Sequence, residues 1–381
     1  MARAWALLGL IVAGVAAAED PVPPPPALAA KSYYLVDAAS GTVLAENAGR
    51  ERLEPASLTK LMTAYAVFKE LESGRIALDD MVEVSEKAWR ASGSRMFIEV
   101  ATEVSVQDLL RGMIVQSGND ASIALAEHVS GSVPAFVELM NKYALGLGMA
   151  ETKYRNPTGL PAVEHLSSAH DSAILARAII REFPEYYSWY SEREYTYNHI
   201  TQHNRNALLW RDASVDGLKT GYTEAAGYCL VSSAERSGMR LIAVVMGMSS
   251  ARGRTEASEA LLDYGFGHFE THKLYTRGEQ IARTRVWKGT PSSVALGLPD
   301  DLYVTIPRGS YPELAATMEL EKVLVAPVGV AVPVGEVQVS FDGQNLAILP
   351  LVALHEVPTA GLWTRVTDEV RLWLAWEHLQ P

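Results

Sequence analysis

Residues 55–68 read Pro55-Ala56-Ser57-Leu58-Thr59-Lys60-Leu61-Met62-Thr63-Ala64-Tyr65-Ala66-Val67-Phe68. Apolar side chains extend almost all round the helical wheel of this segment, the pattern of a helix buried in a core. Its start carries Ser57 and Lys60, an S-x-x-K. Residues three apart share a helix face, so hydroxyl and amine come within hydrogen-bond reach. A serine hydroxyl is a weak nucleophile until a base lies beside it. Lysine can be that base only if its pKa falls from about 10.4 to near 7, at a cost of about 4–5 kcal/mol. Desolvation and a neighbouring cation do this, and Leu61, Met62 and Tyr65 supply the desolvation.

Working outward, Ser32–Asp37 reads as a strand, 39–42 as a turn and Val43–Glu46 as a return strand. Downstream, helical patterns cover Val106–Val115, Asp120–Val129, Val133–Leu145 and His170–Arg181. Strands return at Val215–Lys219, Gly227–Ala234 and Met239–Met248. Helices between a leading hairpin and trailing antiparallel strands predict an α+β domain over residues 28–268. From 269 to 355 the chain turns to short β-rich runs broken by Gly and Pro, predicting a small all-β domain with one helix, Glu313–Leu320. Residues 358–381 become helical again, with Leu362, Trp363, Val366, Val370, Trp373 and Leu374 along one side and Thr364, Arg365, Asp368 and Arg371 on the other. Such a stripe suits a helix lying in a bilayer interface, or one packing on its own β-domain or a second copy. Residues 1–18 carry Arg3, an apolar run and Ala16-Ala17-Ala18, which reads as a secretory signal peptide. Residues 19–27, with Pro21 and Pro23–Pro26, read as a stiff linker.

The 381 residues hold 33 Lys and Arg against 45 Asp and Glu, a net charge of −12. An acidic chain is repelled by phosphate backbones, which argues against nucleic acid as a partner. The single cysteine, Cys229, excludes an internal disulfide and a cysteine metal cage; its apolar flanks predict a buried, inert thiol. No cofactor is called for. His199 and His203 are four apart, but no Glu follows His199, so a zinc pair is disfavoured.

Two further motifs stand with the S-x-x-K. Ser117-Gly118-Asn119 falls between two helical runs, where its hydroxyl could relay a proton and its amide hold a substrate carbonyl. Lys219-Thr220-Gly221 closes the strand begun at Val215, bringing a second cation, a hydroxyl for an anionic terminus, and a glycine that lets substrate backbone lie close. An extended peptide could pair with that strand edge. One S-x-x-K is worthless as evidence, whereas all three motifs together arise by chance about 0.02 times per chain of this composition.

This trio, in this order, resembles the serine β-lactamases and penicillin-binding proteins. Over nearly the whole chain after the leader it is most similar to D-alanyl-D-alanine carboxypeptidases of the penicillin-binding protein 5 type. Supporting stretches are Gln116–Ala121, Asn156–Leu160, Arg205–Trp210 and Val304–Gly309. The resemblance implies a transpeptidase-like domain, a C-terminal β-domain and an amphipathic anchoring helix at the outer face of the cytoplasmic membrane, hence a periplasmic enzyme. It implies that Ser57 is acylated by the penultimate D-alanine of a peptidoglycan stem and that Lys60 takes its proton. Ser117 and Lys219 would pass a proton to the leaving D-alanine, and the N–H groups of Ser57 and Tyr222 would form an oxyanion hole. Arg254, beside Thr220, matches the arginine that binds the terminal carboxylate. Arg205 matches a second cleft arginine, with one residue fewer between it and the K-T-G. β-Lactams, as mimics of D-alanyl-D-alanine, would be the inhibitors.

The sequence departs from the family pattern at Tyr222, where relatives often carry His. Residues 151–170 contain no E-x-x-L-N, the glutamate motif of fast β-lactam hydrolysis, since Glu164 lies in Val163-Glu164-His165-Leu166. A DD-endopeptidase or β-lactamase of the same fold, or a non-catalytic wall-binding protein, are the alternatives. The second domain and tail argue against the first two, and the intact motifs against the third.

Overall fold

The computed structural model describes residues 22–321 and 323–379. The expected leader at 1–18 and the start of the linker at 19–21 lie outside them.

A five-stranded antiparallel sheet forms the centre. Its strands are β1 (Ser32–Asp37), β2 (Val43–Asn47), β3 (Val215–Thr223), β4 (Gly227–Arg236) and β5 (Met239–Met248), in the order β2-β1-β5-β4-β3. Successive side chains leave a strand on opposite faces, and here both faces are covered. Tyr34 and Val36 of β1, with Ile242, Val244 and Met246 of β5, pack on one side. Tyr33, Leu35, Leu241, Ala243 and Val245 pack on the other. That is why β5 reads as an unbroken apolar run rather than an alternating one.

The first face is covered by α1 (Thr59–Glu72), α2 (Val106–Val115), α3 (Asn119–Ser130), α4 (Val133–Gly146) and α5 (Ala169–Glu182). Helix α1 lies deepest, burying eleven of its fourteen residues. Ser105, Ser132 and Ser168 cap α2, α4 and α5, each accepting a backbone N–H three residues on, which fixes where these helices start.

The second face is covered by α6 (Ala251–His268), which the sequence pattern did not announce. Ala257, Leu261, Leu262 and Phe266 are its apolar stripe, and Arg252, Gly253, Glu256, Gly265 and Gly267 dilute it below the level at which periodicity is visible.

Beyond α6 come β6 (Phe269–Tyr275), β7 (Ala282–Trp287), β8 (Ser293–Gly297), β9 (Leu302–Pro307), β10 (Ala315–Leu320), β11 (Leu324–Val325), β12 (Pro333–Phe341) and β13 (Gln344–Ala353). They form a β6-β9 pair and a six-stranded sheet ordered β10-β12-β13-β8-β7-β11 around their own core. The helix expected at Glu313–Leu320 is not formed. A 3-10 turn at Tyr311–Glu313 leads into β10, which pairs with β12 from Ala315↔Ser340 to Leu320↔Gly335. Good helix formers here are overridden by a ladder that an edge strand completes. Asp37 Oδ2 accepts from Thr271 Oγ1 at 2.8 Å, and Ser40 Oγ meets Thr305 Oγ1 at 2.6 Å, tying the β1-β2 turn to the C-terminal strands.

The last helix, α7 (Leu362–Leu379), differs from expectation in one respect. Asp368, on the polar side of the wheel, is buried: it accepts the Lys288 N–H at 2.8 Å and pairs with Arg285 at 3.1 Å. Lys288 also pairs with Glu369. The helix thus docks through its polar side.

Candidate active site

Ser57 sits in the 3-10 turn Ala56–Leu58 that leads directly into α1. Lys60, one turn on, is 1% exposed. Its Nζ lies 3.0 Å from Ser57 Oγ, 2.7 Å from Asn119 Oδ1 and 2.5 Å from the carbonyl oxygen of Thr158. The Asn119 amide nitrogen donates to Ser92 O at 2.6 Å, which fixes its oxygen towards Lys60. A neutral amine has two hydrogens and one lone pair. Two of its three neighbours here can only accept, so the lone pair is left for the Ser57 hydroxyl. Burial, reinforced by the Arg205 charge and opposed by Asp120, brings Lys60 down to about 7. It is therefore held at the protonation balance a base needs near neutral pH.

The Thr158 carbonyl is delivered by a tight turn. Asn156 Oδ1 accepts from the N–H groups of Thr158 and Gly159 and from Thr158 Oγ1. Gly159 has φ +82°, and a Cβ there would lie 1.8 Å from Ala56 O. No other residue allows the turn to sit against the nucleophile's own turn.

Ser117 and Asn119 flank the start of α3, Ser117 with φ +68°. The Ser117 Oγ is buried and has no hydrogen-bond partner among the described residues. Lys219 is 3% exposed, with its amine 3.2 Å from Thr220 O. Burial, then the charges of Lys60, Arg205 and Arg254, hold it well below the ordinary lysine range. The K-T-G does not close its strand, because β3 continues through it to Thr223. Gly221 lets this edge strand press against the turn of Ser57, since a Cβ there would be 3.0 Å from Pro55 O and 3.2 Å from Ser57 N.

These elements enclose a cleft of about 460 Å³ lined by Ser57, Ser117, Asn119, Thr158, Thr220, Gly221, Tyr222, Arg205 and Arg254 among others. Lys60 and Lys219 lie beneath that surface. Arg254 Nη1 donates to Gly221 O at 3.1 Å, and its guanidinium lies 5.6 Å from the Tyr228 ring. Tyr222 is half exposed and lies against Tyr228, the ring centres 4.3 Å apart and the planes tilted by 31°. Every site residue expected from the sequence reaches this one region.

Sequence reasoning missed the Thr158 carbonyl, which no side-chain motif encodes, and Asp120, His165 and Tyr228. Cys229 is buried, its thiol pushed up to about 11 by burial. Glu164 is exposed and paired with Lys153 and Arg155. Among the described residues one group, Glu151, His170 and Asp171, has its ligand atoms within 4.8 Å. There Arg50 Nη2 is 2.9 Å from His170 Nε2, and His170 Nδ1 is 2.9 Å from Asp171 Oδ1. Arg50 can only donate, so Nε2 accepts and Nδ1 donates to Asp171, and with the Arg50–Glu151 ion pair the group forms a hydrogen-bonded network.

The D-alanyl-D-alanine carboxypeptidase family model matches residues 18–250, and the penicillin-binding protein 5 C-terminal domain matches residues 269–359. The D-alanyl-D-alanine carboxypeptidase DacA of Haemophilus influenzae is 45% identical over 347 residues, 90% of this chain and 88% of that protein. The crystal structure of penicillin binding protein 5 from the same organism superposes with a TM-score of 0.83 at 46% identity, covering 88% of this chain and 99% of that one. Penicillin-binding protein D2 from Listeria monocytogenes, in its ampicillin-bound form, gives a TM-score of 0.59 at 30% identity over 64% of this chain and all of that one. With one family model spanning more than half of its length and a relative of this identity along nine-tenths of it, the chain belongs to the D-alanyl-D-alanine carboxypeptidases, a family of serine peptidases.

Proposed function

We propose that this carboxypeptidase removes the terminal D-alanine of peptidoglycan stem peptides through an acyl-enzyme on Ser57. Ser57 Oγ attacks the carbonyl carbon of the penultimate D-alanine while its proton passes to Lys60 Nζ. The N–H groups of Ser57 and Tyr222 hold the oxyanion, a contribution of about 3 kcal/mol for such a donor. Ser117, with Lys219 behind it, returns a proton to the amine of the departing D-alanine. Water then cleaves the ester and frees Ser57. The terminal carboxylate lies against Thr220, Arg254 and Arg205. An extended stem peptide lies along the outer edge of β3.

The observation that carries this reading is the set of three contacts around Lys60 Nζ, which leaves its lone pair on the Ser57 hydroxyl. β-Lactams would acylate the same oxygen, as the ampicillin-bound relative supports. The test is D-alanine release from a diacylated L-Lys-D-Ala-D-Ala peptide. Ser57→Ala should abolish release and penicillin labelling together, and retained release would refute the nucleophile.

We further propose a periplasmic enzyme held at the membrane face by α7. In support, the helix docks by Asp368 and leaves its apolar stripe outward, with Trp363 83% and Trp373 75% exposed. No helix among the described residues is long and apolar enough to cross a membrane. Deleting residues 359–381 should release the protein from membranes, and unchanged fractionation would reject the anchor.

A further inference from the structure

We propose that Asp120 is a positioning residue for the Ser57–Lys60 pair: its buried carboxylate clamps the cleft-wall segment 92–98 onto the first turn of α3 and so holds Asn119 against Lys60. The proposal rests on Lys60 acting as the base for Ser57.

Asp120 is 1% exposed, and no cation forms an ion pair with it among the described residues. A buried carboxylate without a cation is costly unless hydrogen bonds take over the role of water. Here backbone amides do so. Oδ1 accepts from Met96 N at 3.0 Å and Ala121 N at 2.9 Å, and Oδ2 accepts from Phe97 N at 2.9 Å and Ile98 N at 3.4 Å. Its neighbour takes the other end of the same segment: Asn119 N donates to Ser94 O at 2.7 Å, and its amide nitrogen to Ser92 O. Gly93 and Ser94, between these ties, line the cleft. The remaining oxygen of Asn119 is the one Lys60 meets. Wall, asparagine and base are therefore one connected unit, and Asp120 supplies most of the bonds that close it. The carboxylate also sits at a helix N-terminus, where negative charge is favoured.

The charge has a second effect. The groups facing Lys60 are Asp120 from α3, Arg205 from the segment before residues 208–211, Lys219 from β3, and His165 from the loop after Gly159. The arginine favours the neutral amine; Asp120 alone among these opposes it. Removing that one negative charge must lower the pH at which Lys60 gains its proton. A role confined to folding would not move that pH.

The experiment is the pH dependence of kcat/KM for D-alanine release by the full chain, for the wild type, Asp120→Asn and Asp120→Glu. The wild type should lose activity on the acid side near pH 7; no such limb would overturn the Lys60 reading itself. In Asp120→Asn the limb should move down by about half a pH unit or more, with the plateau at least about tenfold lower as the wall loosens. Asp120→Glu should return the limb to its wild-type position while the plateau stays depressed. An unmoved limb in Asp120→Asn, or a glutamate variant that behaves like the asparagine one, overturns the proposal. Should Asp120→Asn not fold, amide hydrogen exchange in the native protein decides. Met96 and Phe97 N–H should be protected as strongly as the first turn of α3, and free exchange at both would overturn the clamp.

Discussion

His165 Nδ1 accepts the backbone N–H of Arg155 at 3.0 Å, and its Nε2 therefore carries the proton donated to Thr59 Oγ1 at 2.8 Å. The ring is 2% exposed and joins the loop bearing Thr158 to the residue beside Lys60. It must stay neutral to do so. Burial first, then the Arg155 and Lys60 charges, lower it from 6.5 to about 4. Between those values the unfolded chain binds a proton that the folded one refuses, so stability falls as pH falls. The slope is about 1.4 kcal/mol per pH unit, or roughly 3 kcal/mol across the window. Stability from this group is complete above pH 6.5 and gone below about 4. Urea unfolding at pH 7, 5.5 and 4.5 should show a steeper loss for the wild type than for His165→Gln. Parallel losses would remove His165 from the account.

Gly159→Ala should disable the site from outside it. The added methyl meets the backbone of Ala56 and Ser57, not a side chain that can swing aside, and φ +82° adds strain. The turn must lift, taking the Thr158 carbonyl from Lys60. The expected result is a penicillin-acylation rate at least about a hundredfold lower and a stability loss of about 2–4 kcal/mol. Gly74→Ala is the control, at φ +69° with open space around it, and should cost about 1–2 kcal/mol with acylation unchanged. Equal acylation in both variants would show that the close approach does not matter.

How much of this was legible in the sequence follows from where the information is stored. Helix α1 and strand β5 bury nearly every side chain, so their runs could be read directly. The three motifs could be placed because the elements carrying them have strong patterns of their own. Helix α6 was missed because it buries a single stripe diluted by glycine. Strand β10 was misread because all six of its residues are exposed and only the ladder to β12 decides its state. In the site, the motif side chains are legible, whereas the groups that hold Lys60 and Asn119 in place from outside the motifs are not. Thr158 O and the amides that hold Asp120 leave no trace in residue type, although Asp120 itself directly follows Ser117-Gly118-Asn119.

The wheel of α7 puts Asp368 on the side opposite the apolar stripe, and its docking on the β-domain bears on how the helix would meet lipid. With Asp368 held by Arg285 and the Lys288 N–H, and Glu369 held by Lys288, both acids are compensated from the β-domain side. Neither acid pairs with Arg365 among the described residues, and Leu362, Trp363, Val366, Val370, Trp373 and Leu374 are left exposed, the stripe that would meet a bilayer if the proposed anchor holds. Binding that rests on apolar burial should respond to the tryptophans and little to salt. Partition of the full chain onto neutral and anionic vesicles should differ by less than about tenfold, and Trp363→Ala with Trp373→Ala should lower it on both by at least about tenfold. Asp368→Ala should leave the stripe able to bind but release the helix from the β-domain, seen as faster hydrogen exchange over residues 362–374. If Asp368→Ala instead abolishes partition while the paired tryptophan variant keeps it, the polar side is the one that meets the membrane and the helix lies the other way round.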